Sequence, residues 1–163
     1  MINSEFKKRP SRQILSLALW LILTFTVSFI ASRFMPGEWY QGLVKPSWNP
    51  PNWIFGPVWT LLYTLMAVAV WLVWKERHKD NIKSAIILYA LQLFLNGIWS
   101  FIFFGQELIG LALVDILILL ILIIATLLNF YKINRTAGIL LIPYLIWVGF
   151  ASALNFRLWQ LNG

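Results

Sequence analysis

The sequence contains no cysteine, which excludes disulfides, thiolate nucleophiles and iron–sulfur ligation together. Its single histidine, His78, lies in a basic stretch between Lys75 and Lys83. A membrane cytochrome holds its axial histidines within helices, so no permanently bound haem is expected, and no metal site either. No lysine stands inside a long apolar run, which excludes a retinal Schiff base, and no glycine-rich phosphate loop is present to couple ATP hydrolysis. Charge itself is scarce: Asp, Glu, Lys and Arg make up 12% of the 163 residues, against 60% hydrophobic. A chain this apolar belongs in a bilayer.

What is present is a set of long runs between charges. A helix needs about 20 apolar residues to cross the hydrocarbon core, and five runs qualify, predicting helices over 13–33, 54–75, 83–105, 108–131 and 136–158. They are rich in Leu and Ile and lack the two-residue alternation of a membrane barrel, so an all-α bundle of five transmembrane helices is expected, one membrane domain covering 1–163. Lys7, Lys8, Arg9 and Arg12 precede the first run in the manner of a signal peptide. The run is longer than the roughly 7–15 apolar residues of a cleaved signal, and it reads as a span.

Five crossings place alternate loops on opposite sides, and the thirteen Lys and Arg sort unequally. Ten fall on one side: Lys7, Lys8, Arg9 and Arg12, then Lys75, Arg77, Lys79 and Lys83, then Lys132 and Arg135. Only Arg33, Lys45 and Arg157 fall on the other. By the positive-inside rule the N-terminus is cytoplasmic in a bacterial inner membrane, the mitochondrial outer membrane being the alternative for a eukaryotic host. The net charge of +7 is explained by this topology and by lipid head groups, without a nucleic-acid partner.

Aromatic residues are abundant, with ten Trp, five Tyr and twelve Phe. Trp39, Trp48, Trp53, Trp71, Trp74 and Trp159 fall near span ends, where indoles favour the head-group level. Trp20, Trp59, Trp99 and Trp147 fall deeper. Trp59, Tyr63, Met66 and Val70 share one face of the second span, and Gln92, Asn96, Trp99 and Phe103 share one face of the third. Tyr144, Trp147, Ala151 and Leu154 do so on the fifth. Amides avoid lipid, so these three faces are expected to line one interior cavity, with Gln92 and Asn96 serving a ligand or bonding neighbouring helices. Asp115, the only ionisable group deep in a span, is a candidate for a proton-linked or a structural role. Ala137, Gly149 and Ala153 would permit close helix contact within the bundle or between protomers.

Between the first two spans, residues 35–53 are dense in proline and tryptophan. Pro46, Pro50 and Pro51, with Pro57 beyond, stiffen the segment, while Trp39, Tyr40, Trp48 and Trp53 supply an apolar underside. An ordered lid over one end of the bundle is expected.

These residues closely resemble the translocator protein family (TspO/MBR, the peripheral-type benzodiazepine receptor-like proteins), in its bacterial type. The resemblance rests on Trp39-Tyr40, Leu43, Lys45-Pro46, Trp48 and Pro50-Pro51 in the loop, then Pro57-Val58-Trp59 and Leu62-Tyr63. It continues through Asn96, Trp99-Ser100 and Phe103-Phe104, Ala112 to Asp115, and Pro143-Tyr144, Trp147, Phe150-Ala151 and Leu154-Asn155, covering about residues 14–160. It implies a five-helix bundle, a homodimer, that binds protoporphyrin IX or haem-type porphyrins under the first loop and sequesters, transports or degrades them. The alternative function is a lipid or sterol carrier or stress-response regulator without catalysis. The pocket residues implied are Tyr40, Pro50, Trp59, Asn96, Trp99, Ala151 and Leu154, with Trp147 facing Trp59, and Tyr63 joins them by its place on the Trp59 face. If light- and oxygen-dependent degradation occurs, Trp59 and Trp147 are the catalytic pair implied. The animal cholesterol motif at the end of the last span is not matched, since Phe156 and Gln160 stand where a Tyr and an Arg are needed.

Overall fold

The computed structural model describes residues 3–78 and 82–163, with side chains from residue 12 onward. Lys79 of the basic loop and the side chains of Lys7, Lys8 and Arg9 lie outside the described residues. The chain forms α1 (Asn3–Ala31), α2 (Glu38–Gly42), α3 (Phe55–Lys75), α4 (Ile82–Ser100), α5 (Ile109–Ile133), α6 (Arg135–Leu140) and α7 (Ile142–Asn162). Five stretches are long and apolar enough to cross a membrane, from Arg12–Ala31 to Arg135–Asn162.

Two of the expected spans are interrupted. The fifth, expected as one helix over 136–158, is two: α6 stops at Leu140 and α7 begins at Ile142. Pro143 has no N–H to give to Ile139 and its ring crowds that carbonyl, while the Leu141 N–H turns back to the Gly138 oxygen at 3.1 Å. The third span is α-helical to Ser100 and then opens into a π turn over Phe101–Gly105, closed by the Gln106 N–H on the Phe101 oxygen at 2.9 Å. The extra residue per turn swings Phe103 and Phe104 away from the α-helical register. The first span begins at Arg12, close to the expected 13, while the helix that carries it, α1, extends back to Asn3.

The elbow between α5 and α6 is compact. Asn134 caps α6, its side-chain oxygen accepting from the Ala137 N–H at 3.1 Å. A Cβ on Gly138 would stand 2.5 Å from the Tyr131 Cβ and 2.7 Å from its Cα, so only glycine fits.

The main core lies toward the basic end of the bundle. Met66, Val70 and Val73 of α3 pack with Tyr89 and Leu93 of α4, Leu119 and Ile123 of α5, and Tyr144 and Val148 of α7. Met66 and Val70, expected on a cavity wall, are fully enclosed in this core instead. Tyr89 ties α4 to α1 through a 2.7 Å bond with Thr24 and stacks on Phe130 of α5. The outward faces are as apolar as the inside: Ile22, Ile121 and Ile146 are all exposed, which suits helices whose surroundings are lipid.

Candidate functional site

Away from that core the helices spread, and the space between them is a cavity of about 360 Å³. Trp59, Tyr63, Phe55, Gly56 and Thr60 line it from α3, Asn96, Trp99 and Ser100 from α4, Phe104 from the π turn, and Trp147 and Ala151 from α7. Ser28 and Ala31 of α1, with Ser32 just beyond its end, supply a fourth wall, and Phe34, Met35, Pro36 and Asn52 of the connecting segment close one end. Among these lining residues there is no charged side chain.

The lid segment is neither extended nor loose. It folds into α2 and a 3-10 turn at Asn52–Ile54, and it is fastened at three points. Tyr40 is buried against Phe103 and Phe104, with ring centroids 6.1 and 5.5 Å apart, and its hydroxyl donates to Asn49 Oδ1 at 2.9 Å. Burial raises this phenol above its ordinary value, and the bond to Asn49 pulls the other way. Trp48 packs edge-on against Phe150 of α7. Asn162, at the end of α7, clasps the backbone of Val44 on both sides, accepting from its N–H at 2.8 Å and donating to its oxygen at 2.9 Å. Trp53 does not belong to the underside: it is 73% exposed, where a span-end indole meets the head-group layer.

Of the residues singled out in the sequence, Trp59, Tyr63, Asn96, Trp99, Trp147 and Ala151 come together on the cavity wall. Tyr40, Pro50 and Leu154 do not. Tyr40 and Leu154 belong to a second buried cluster beneath the lid, with Phe103, Ala112 and Leu158. Pro50 stays in the lid, its oxygen accepting from Asn49 Nδ2. For Tyr40 the reason is the π turn, which sets Phe103 and Phe104 against its ring, and Phe104 in turn lines the cavity.

Trp59 and Trp147 line the same cavity but pair with different rings. Trp59 leans on Tyr63 and Tyr144, whereas Trp147 contacts Phe55 and Phe150. Trp99 is the most firmly placed of the three indoles. Its ring stacks on Phe103 at 5.0 Å, and its Nε1 donates to Asn155 Oδ1 at 3.0 Å, while Asn155 Nδ2 is held by the Ile109 oxygen.

The amides resolve differently from one another. Tyr63 donates its hydroxyl to Asn96 Oδ1, Asn96 Nδ2 donates to the Tyr144 hydroxyl at 3.0 Å, and that hydroxyl donates to Gln92 Oε1 at 2.9 Å. This chain joins α3, α4 and α7 across the floor of the cavity. Asn96 therefore both lines the cavity and bonds neighbouring helices, while Gln92 lies beneath it and bonds only inward. Asp115 is buried on α5 with Oδ2 unpartnered among the described residues, and it is not on the cavity wall.

The fourth wall was missed by reading aromatic faces alone. Ser28 and Ser32, four residues apart, mark one side of the end of the first span as facing something other than lipid.

A profile of the TspO/MBR family matches residues 16–160. The chain is 46% identical to the tryptophan-rich protein TspO of Chlorobaculum tepidum over 93% of this chain and 99% of that one. It is 45% identical to the translocator protein of Homo sapiens over 82% of each. It is 39% identical to the tryptophan-rich sensory protein of Cereibacter sphaeroides over 78% of each. With the five apolar spans and the aromatic cavity beneath a folded lid, these matches establish that the chain is an integral membrane protein belonging to the TspO/MBR family.

Proposed function

We propose that the protein binds a porphyrin, protoporphyrin IX or a haem-type relative, in the cavity beneath the lid. The observation that carries this reading is a space walled by Trp59, Trp99 and Trp147 without a charged side chain. A flat apolar macrocycle gains from indole faces in such a site, and the neighbouring hydroxyls and amides orient it. In this reading the porphyrin is ligand and not resident cofactor, since the cavity lining offers neither histidine nor cysteine to hold its metal. Trp59 and Trp147 both line the cavity, which favours a further reading in which molecular oxygen oxidises the illuminated porphyrin, the electron an indole lends to the excited ring being returned to the indole from the porphyrin as it is oxidised.

The unequal Lys and Arg distribution supports insertion in a bacterial inner membrane with the N-terminus in the cytoplasm, which puts the lid on the opposite side. The small residues of α7, half-buried Gly149 and exposed Ala153, are compatible with packing against a second copy in a homodimer. A lipid or sterol carrier is the competing reading, and the absence of the animal cholesterol motif weakens it.

Titrating the purified protein with protoporphyrin IX while following tryptophan emission tests the binding. Saturable quenching that weakens in Trp59→Phe and Trp147→Phe is the expected result. No saturable quenching rejects the porphyrin. Equal photobleaching of free and bound porphyrin rejects degradation while leaving binding intact.

A further inference from the structure

The cavity is uncharged throughout, yet the ligands proposed for it carry carboxylates. A carboxylate enclosed among Ser, Thr, Asn and Trp side chains without a cation loses its hydration and recovers little of it. It must therefore stay at the rim. The rim is identifiable: Ser32 and Met35 on one side, Gly56 and Thr60 on the other, line the cavity and are also exposed. They bring together the C-terminal end of α1 and the N-terminal end of α3.

Three cations were assigned to this end of the bundle, and two are already committed. Lys45 donates to the Gln41 and Leu43 oxygens and sits over the Tyr40 ring. Arg157 donates to Gln160 on the exposed side of α7. Arg33 differs. It lies between Ser32 and Phe34, both of which line the cavity. Its guanidinium lies over the Phe29 ring, 5.1 Å from the centroid, a contact that consumes none of its five N–H donors. Among the described residues its side chain makes no hydrogen bond or ion pair.

We infer that Arg33 is the anion-recognising residue of the cavity rim, so that the protein selects amphiphiles with an uncharged planar body and acidic groups at one edge. The body enters between α1 and α3 and the acid groups remain outside, paired with Arg33. Guanidinium is suited to this, since it takes a carboxylate with two parallel hydrogen bonds. This inference rests on the porphyrin reading and adds to it the orientation of the ligand and the residue that sets it.

Comparing protoporphyrin IX with its dimethyl ester separates the two. Both are titrated into wild type, Arg33→Gln and Arg33→Lys, in nanodiscs of zwitterionic lipid so that no anionic head group competes for the guanidinium. The expected result is that Arg33→Gln weakens the diacid about fivefold, the upper range for a partly solvated ion pair, and leaves the diester unchanged. Arg33→Lys recovers part of the diacid affinity. The wild-type preference for diacid should also shrink with added salt. Equal weakening of both porphyrins, or no change in either, overturns the role of Arg33 while the porphyrin reading stands. Failure of wild type to bind either compound overturns both.

Discussion

The Tyr144 hydroxyl accepts a hydrogen bond from Asn96 Nδ2 at 3.0 Å, which links α7 to α4 inside the bundle. Because Tyr63 donates to the same Asn96 and Tyr144 donates on to Gln92, one polar chain forms the boundary between cavity and core. Its upper members touch the cavity and its lower members do not, so substitutions along it should separate binding from stability.

Tyr144→Phe leaves Gln92 Oε1 and one Asn96 donor without partners inside the bundle. Interhelical hydrogen bonds of this kind contribute about 1 kcal/mol in membrane proteins. A matching loss in thermal or denaturant stability is expected, with porphyrin affinity within about twofold of wild type, since less than 0.5 kcal/mol reaches the cavity. Asn96→Leu breaks two bonds and changes the cavity wall, so it should lower both stability and affinity. Stability melts and emission titrations on the two variants distinguish the roles.

Trp59→Phe and Trp147→Phe each shorten an indole wall of the cavity. Loss of stacking area should weaken protoporphyrin IX by about fivefold, corresponding to roughly 1 kcal/mol of aromatic contact. If degradation occurs, its light-dependent rate should fall further than the affinity does, because phenylalanine is a far poorer electron donor. Following porphyrin absorbance under illumination and in darkness, at saturating protein, isolates that effect.

The five spans were legible because membrane insertion acts on composition, and uncharged runs are its direct record. The interruptions were harder to see. Pro143 counts as apolar in such a run although it ends α6, and nothing in Phe101-Ile102-Phe103-Phe104 announces a π turn, which depends on the packing of those rings beneath Tyr40. That turn is why Tyr40 packs on Phe103 and Phe104 rather than on the cavity wall. Residue type alone also could not separate Gln92 from Asn96, because an amide in an apolar helix serves a ligand and a neighbouring helix equally well. One turn of helix decides between them.

Lid attachment should depend on pH in one direction. Burial holds the Tyr40 hydroxyl protonated beyond the ordinary value of 10.0. Below pH 10 it is protonated whether the lid is docked or released, and docking is at full strength. As pH rises past 10, the released lid ionises first, so docking weakens toward alkaline pH. Limited proteolysis between Gly42 and Asn52 should accelerate above pH 10 in wild type. In Tyr40→Phe, which keeps the ring contacts but cannot ionise, the acceleration should be absent.

Asn162→Ala removes both hydrogen bonds to Val44 and one to the Leu158 oxygen within α7, while no core side chain is changed. Faster hydrogen exchange at Val44 is expected, with thermal stability reduced by about 1 kcal/mol at most, since these bonds are exposed to water. Unchanged exchange at Val44 would show that Tyr40 and Trp48 suffice to hold the lid.

Gly138→Ala should be among the most damaging small changes in the chain. The added methyl would meet the Cβ, Cα and backbone N of Tyr131 at 2.5, 2.7 and 2.9 Å. Those atoms belong to the last turn of α5 and cannot rotate aside, so relief requires α6 to move away from α5. Overpacking of this sort costs about 1–3 kcal/mol. The loss should appear as reduced folded yield and melting temperature, and the affinity of the surviving protein for porphyrin should be unchanged, because the elbow lies in the basic half of the bundle. Gly97→Ala provides the contrast: its new methyl would meet only Val27 Cγ1 at 2.9 Å, the end of a side chain that can adjust with a small movement of α1. A larger stability loss in Gly97→Ala than in Gly138→Ala would mean that α1 is held more rigidly against α4 than α6 is against α5.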